Sequence, residues 1–239
     1  MPTHTESFLR IILILAITTV IHAAHTSPVS SRFTVTDATS ARAGNKEFDQ
    51  YIRIIGWLKA FYWTIAVAEI LTIMLPRLWN IILTSNIDTN PTLDLPLRTS
   101  LMSAIGAFLI LSAGLLRWWC FKALHKYHTF YICIVEDHQL ITTGPYSVVR
   151  HPSYTAVILM TVGMMCWYFA PGSLVVESGM MGTVLGKIVV AAYITAIVRQ
   201  VIAFKDRIPE EDAMLRDAFG KEWDEWAKVV PYSLVPGLY

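Results

Sequence analysis

The 239-residue chain is 54% hydrophobic and only 15% charged, with a net charge of +1 and a mean hydropathy of +0.49. A soluble domain carries about 25% charged residues, so this balance points to an integral membrane protein and offers no bulk charge for nucleic acid. Three cysteines, Cys120, Cys133 and Cys166, with no CxxC pair, argue against a zinc site or a disulfide scaffold and read as small buried hydrophobes.

The first apolar segment is Phe8–Ala24, "FLRIILILAITTVIHAA". Arg10 before its core and small residues after it suit either a cleaved signal peptide or a first span. The membrane-embedded remainder of the chain favours the span. Residues 25–50 are rich in Ser, Thr and Ala and read as a loop. A second span is expected over about Ile54–Leu75. Its Lys59 and Glu69 are costly in lipid, so they should pair or face protein or water. Pro76, Pro91 and Pro96 mark a second loop. The third span is expected over Leu101–Arg117, with Trp118 and Trp119 at an interface. The fourth covers about Ser153–Ala170 and the fifth about Thr183–Phe204. The short "PGSLVVESGMMG" between them makes these two an antiparallel hairpin.

That turn has no Lys or Arg, whereas both flanks of the hairpin are basic. The positive-inside rule therefore places the flanks in the cytosol, with the N-terminus out and the C-terminus in. Beyond the fifth span, Pro209 suits the first turn of a new helix, with Glu210, Glu211 and Asp212 near its N-terminus. Leu215, Phe219, Trp223 and Trp226 give that helix an amphipathic stripe. The expected fold is an all-α, polytopic membrane bundle of about five spans with a C-terminal cytosolic amphipathic helix.

Two polar clusters flank the hairpin. Residues 138–154 precede it and 205–212 follow it, so closure of the hairpin should bring them to one end. In the first, "GPYSVVRHPSY", Pro152 can start a helix whose free N–H groups favour an anion. Arg150 and His151 add donors, and Gly144 permits a sharp turn that folds Tyr146 over the site. In the second, Arg207 could hold a carboxylate or phosphate. Glu211 could accept from a ribose or face a cation. A juxtamembrane salt-bridge network is the competing reading of the same residues. His125 and His128 in "HKYH" lack a carboxylate partner at helical spacing and read as interfacial residues. No GxSxG, Walker or GxGxxG pattern supports a hydrolase or a soluble nucleotide fold.

"HQLITTGPYSVVRHPSY" before an apolar hairpin, and "EED…L…FGKEWDEWAKVVPYSLVPG" after it, resemble the isoprenylcysteine carboxyl methyltransferase family over roughly residues 120–239. The resemblance implies a multi-spanning enzyme of the endoplasmic reticulum with a cytosolic active site and C-terminus. It would use S-adenosylmethionine to methylate the C-terminal carboxylate of the prenylated cysteine in CaaX-type proteins, with no metal and no nucleic acid. On this basis residues 1–100 are N-terminal membrane helices and loops, and 101–239 form the methyltransferase core. His138, Gln139, Leu140 and Ile141 match the segment that gives backbone contacts to the methyl donor. Tyr146 and His151-Pro152-Ser153-Tyr154 match its pocket, Glu211 the acidic residue that binds the donor, and Arg207 the arginine of the substrate carboxylate. Ala156 stands where many members have Gly, and the region around Tyr131 matches poorly. A phospholipid or small-amine methyltransferase of the same fold, an NADPH-dependent sterol-type reductase, and a non-enzymatic scaffold are the alternatives.

Overall fold

Ser100 opens the central helix of the bundle: its hydroxyl accepts from the Ser103 amide at 3.3 Å and satisfies one orphan donor of the first turn. In the computed structural model, residues 4–26, 46–75, 97–128, 134 and 137–238 are described, with side chains in the second helix given from Ile55 onward. The α-helices are α1 (His4–Ala24), α2 (Lys46–Met74), α3 (Leu101–Leu124), α4 (Pro152–Tyr168), α5 (Leu174–Glu177), α6 (Val184–Phe219) and α7 (Lys221–Val229). No strand occurs among the described residues. Four helices, α1, α2, α3 with its 3-10 extension, and α6, are long and apolar enough to cross a bilayer. With 17 residues, α4 sits at the short end of the spanning range. The protein is an all-α, multi-pass membrane bundle.

α1, α2, α3 and α4 pack in the spatial order α2–α1–α3–α4. Ile14, Ile17 and Ile21 of α1 are buried with Ile110 of α3 and Met160 and Trp167 of α4, so α1 is an integral wall of the core. The α3–α4 crossing depends on absent side chains. A Cβ on Gly106 would lie 2.6 Å from the Trp167 nitrogen, and one on Gly163 would lie 2.9 Å from the Gly106 carbonyl. Such backbone-to-backbone approach is the usual basis of helix association in lipid. Gly163→Val is expected to lower stability by about 1–3 kcal/mol, read as a lower Tm of the purified protein; an unchanged Tm would contradict this packing.

Some sequence expectations are corrected. α2 begins at Lys46, so the end of the expected loop is helical; residues 27–45 and 76–96, with Pro76, Pro91 and Pro96, lie outside the described residues, as do Tyr131 and Cys133. α3 continues past Arg117 to Leu124. Lys59 and Glu69 do not pair. They lie ten residues apart in α2, about 15 Å along its axis. Lys59 instead donates to Thr26 Oγ1 at 2.8 Å. Glu69 accepts from Arg10 Nη2 at 2.5 Å, with both side chains 2% exposed. Arg10 also donates to the Arg98 carbonyl and lies over the Trp167 ring. A buried charge pair thus ties α1 to α2 and to the ends of α3 and α4.

Pro209 does not begin a helix. It lies inside α6, which runs unbroken for 36 residues. That length is about 54 Å against about 30 Å of hydrocarbon, so roughly the last four turns project beyond it. A proline costs most in a helix interior, where it removes one hydrogen bond; here it falls in the projecting part, where water can satisfy the freed carbonyl. The chain then turns at Gly220, whose φ of +55° favours glycine. This break splits the expected amphipathic stripe: Leu215 and Phe219 are on α6, Trp223 and Trp226 on α7.

Candidate active site

Hairpin closure brings the two polar clusters together. α4 and α6 run antiparallel and touch through a widely spaced row of side chains: Phe169 with Tyr193, Thr161 with Gln200, and Tyr154 with Phe204 at 4.7 Å between rings. At the end of this row Tyr154 donates its hydroxyl proton to Glu211 Oε2 at 2.8 Å, and Arg207 Nε donates to the same Tyr154 oxygen at 3.3 Å. Arg207 and Glu211 are four residues apart and so share one face of α6. His151 is buried, with Nε2 2.9 Å from Asp212 Oδ1 and Nδ1 3.8 Å from Glu211 Oε2. An ionised carboxylate only accepts, so Nε2 donates to Asp212, and Nδ1 faces Glu211.

The helix N-terminus expected at Pro152 is partly covered. The Arg150 and His151 amides donate to the Tyr232 and Ser233 carbonyls at 2.9 and 2.8 Å. Thr155 Oγ1 donates to the Leu234 carbonyl at 2.7 Å. Arg150 is engaged too: it bonds Asp212 Oδ2 and the Pro231 carbonyl, and reaches the Ser233 hydroxyl. The C-terminal segment 230–234 is therefore strapped along the start of α4. For Arg150 the salt-bridge reading describes the geometry. Ser153 is likewise committed, its hydroxyl accepting from Arg117 Nη1 at 2.7 Å. Arg117 also donates to the Ala24 carbonyl at 2.5 Å, fastening α1, α3 and α4 at this end.

The second group of expected residues is adjacent. Leu140 and Ile141 pack with Cys120, Tyr146, Trp223 and Trp226. Gly144, with φ of +64°, opens the 3-10 turn Gly144–Ser147 that buries Tyr146. Trp226 Nε1 donates to the Tyr146 carbonyl at 3.2 Å, so the turn at Gly220 brings α7 onto this loop. Burial pushes the Tyr146 phenol well above its ordinary range. His138 stacks on Tyr127 at 4.6 Å and meets Phe219 edge-on at 5.7 Å. Its enclosed Nδ1 makes no hydrogen bond to the described residues. Gln139 is exposed, Pro152 and Ala156 are buried, and Cys120 is buried.

The residues that sequence reading missed are Asp212, Arg117 and the strap 230–234. Asp212 was visible only as an acidic neighbour of Glu211, and Arg117 only as the limit of a span. The strap has no periodic signal, because it acts through its carbonyls.

Burial holds His128 down at about 4, with the Arg117 charge adding and its own backbone bond opposing; burial also lowers His138. Both are neutral in the folded state at pH 7. The folded pKa lies below the unfolded value of about 6.5, so the stability they contribute is complete above 6.5 and is lost as pH falls toward the folded pKa. For His128 the expected slope is about 1.4 kcal/mol per pH unit between 6.5 and 4. A His128→Phe variant should show a shallower fall in Tm over that window; an unchanged slope would contradict it.

Part of the chain matches a known family. Residues 104–181 match the isoprenylcysteine carboxyl methyltransferase (ICMT) family. The matched stretch runs from α3 through α4 to the hairpin turn, and includes the Tyr146 turn and Tyr154. The chain is 30% identical over 99 residues to protein-S-isoprenylcysteine O-methyltransferase B of Arabidopsis thaliana, which is 40% of this chain and 39% of the relative. It is 32% identical over 107 residues to a probable protein-S-isoprenylcysteine O-methyltransferase of Oryza sativa subsp. indica, covering 45% and 46%. A Schizosaccharomyces pombe protein-S-isoprenylcysteine O-methyltransferase is 32% identical over 99 residues, covering 41% and 34%. The chain spans less than half the length of these curated relatives. The ICMT match takes in His138, Gln139, Leu140, Ile141 and the His151–Tyr154 run, whereas Arg207, Glu211 and Asp212 lie C-terminal to it.

Proposed function

We propose that this chain transfers a methyl group from S-adenosylmethionine to the C-terminal carboxylate of a prenylated cysteine in CaaX-type proteins, giving a methyl ester. The observation that carries the reading is the hydrogen-bonded chain Arg207–Tyr154–Glu211, assembled across the hairpin. When bound, the donor supplies an electrophilic methyl group on a sulfonium.

The side chains present suit a donor that carries both cationic and polar groups. Glu211 is 32% exposed and offers a carboxylate to a cationic group. His138 offers an unspent ring nitrogen and, with Tyr127 and Phe219, flat aromatic surface. The proposed donor-holding set is His138, Gln139, Leu140, Ile141, Tyr146, His151, Pro152, Ser153, Tyr154 and Glu211. Within it Ser153 and His151 act through what they fasten, Arg117 and Asp212. Arg207 is the proposed anchor for the substrate carboxylate. That carboxylate is already ionised at neutral pH, so no general base is needed. Rate enhancement then comes from alignment and desolvation, and the Tyr154 hydroxyl sets the spacing between the two charged side chains. The Lys- and Arg-free hairpin turn and its basic flanks support a cytosolic site, on the endoplasmic reticulum membrane.

Binding measurements on the purified chain test the donor. S-adenosylhomocysteine should bind and NADPH should not, and Glu211→Gln should weaken the former by about tenfold or more. Binding of NADPH without S-adenosylhomocysteine would instead establish a reductase.

A further inference from the structure

A concavity lies on the outer face of α3. It is a groove of about 720 Å³ whose walls include Leu115, Trp118, Trp119, Lys122, His125 and Gly144. Trp118 and Trp119 are 60% and 52% exposed, too open for core residues of this size. Lys122 Nζ lies 5.2 Å above the Trp118 ring. No carboxylate lines the groove among the described residues.

Depth gives the groove its chemistry. At 1.5 Å per residue, Trp118 lies about 26 Å and Lys122 about 32 Å from the start of α3. The hydrocarbon layer is about 30 Å thick. The apolar wall at Leu115 is therefore at acyl-chain depth, the two indoles at the boundary, and Lys122 at the level of headgroup phosphates. An apolar slot below a cationic, carboxylate-free rim matches one class of molecule. We propose that this groove binds an anionic phospholipid, its chain along Leu115 and Trp119 and its phosphate against Lys122.

The groove shares a wall with the candidate site. A Cβ on Gly144 would lie 3.3 Å from Trp119 Nε1, and the same turn buries Tyr146 on its other side with Cys120 and Trp226. A lipid seated on Trp119 therefore braces the turn that holds Tyr146.

Native mass spectrometry of the full chain, with phosphatidylglycerol against phosphatidylcholine of identical chains, tests the proposal without reference to the reaction. The wild type should retain phosphatidylglycerol preferentially. Each lysine near the membrane surface contributes about fivefold to anionic-lipid binding, so Lys122→Gln should lower that preference about fivefold. Lys221→Gln, on α7 but outside the groove lining, should leave it unchanged, and Trp118→Ala should weaken retention of both lipids. Equal retention of the two lipids by the wild type, or equal effects of Lys122→Gln and Lys221→Gln, would overturn it. So would displacement of the lipid by N-acetyl farnesylcysteine with Lys122→Gln silent, which would assign the groove to the acceptor's prenyl chain.

Discussion

Arg207→Ala is expected to lower kcat/KM for methyl transfer to a prenylcysteine acceptor by roughly two orders of magnitude. A guanidinium holding a carboxylate makes charge-assisted bonds of about 1.5–3 kcal/mol each, and misplacing a reacting group by about 1 Å alone costs about 100-fold. Arg207 sits on the face of α6 that meets Tyr154, next to Glu211. Its loss should therefore leave the donor side standing: S-adenosylhomocysteine should bind Arg207→Ala within about twofold of wild type. Arg207→Lys keeps the charge without the planar fork and should recover only part of the rate. Equal loss of donor binding and of rate in Arg207→Ala would place the arginine on the donor instead. Tyr154→Phe removes the shared hydroxyl and should impair both functions.

The largest effect on stability is expected at the opposite end of the bundle. Glu69→Ala strands Arg10, which is 2% exposed, as an uncompensated buried charge. Breaking such a pair costs about 3–5 kcal/mol, comparable with half the net stability of many domains. Replacing both partners, Arg10→Met with Glu69→Met, removes the charge altogether and should recover most of that loss. Thermal unfolding of the three variants in detergent checks this. If the double variant is as unstable as Glu69→Ala, the loss arises from shape and not from stranded charge.

The membrane class and the hairpin were legible because they rest on signals local to one segment: apolar runs of spanning length, and a short turn without lysine or arginine. The meeting of residues 138–154 with 205–212 followed from the hairpin alone, and Tyr154, Arg207 and Glu211 do converge. What failed needed a partner from elsewhere. Glu69 faces protein, one of the expected outcomes, but its partner is Arg10 on another helix and not Lys59 on its own. Arg150 looked like a ligand donor because the strap that occupies it contributes carbonyls, which leave no mark in side-chain pattern. Pro209 looked like a helix start because proline favours that position. In α6 the helix was already formed, and beyond the bilayer the lost hydrogen bond is cheap enough to tolerate.

The most direct measurement is transfer of labelled methyl from S-adenosylmethionine in membranes containing the full chain, with N-acetyl farnesylcysteine and phosphatidylethanolamine offered as acceptors. Label is predicted in the farnesylcysteine as a base-labile methyl ester, absent with Arg207→Ala. Label in phosphatidylethanolamine alone, or in neither acceptor while S-adenosylhomocysteine still binds, would contradict carboxylate methylation.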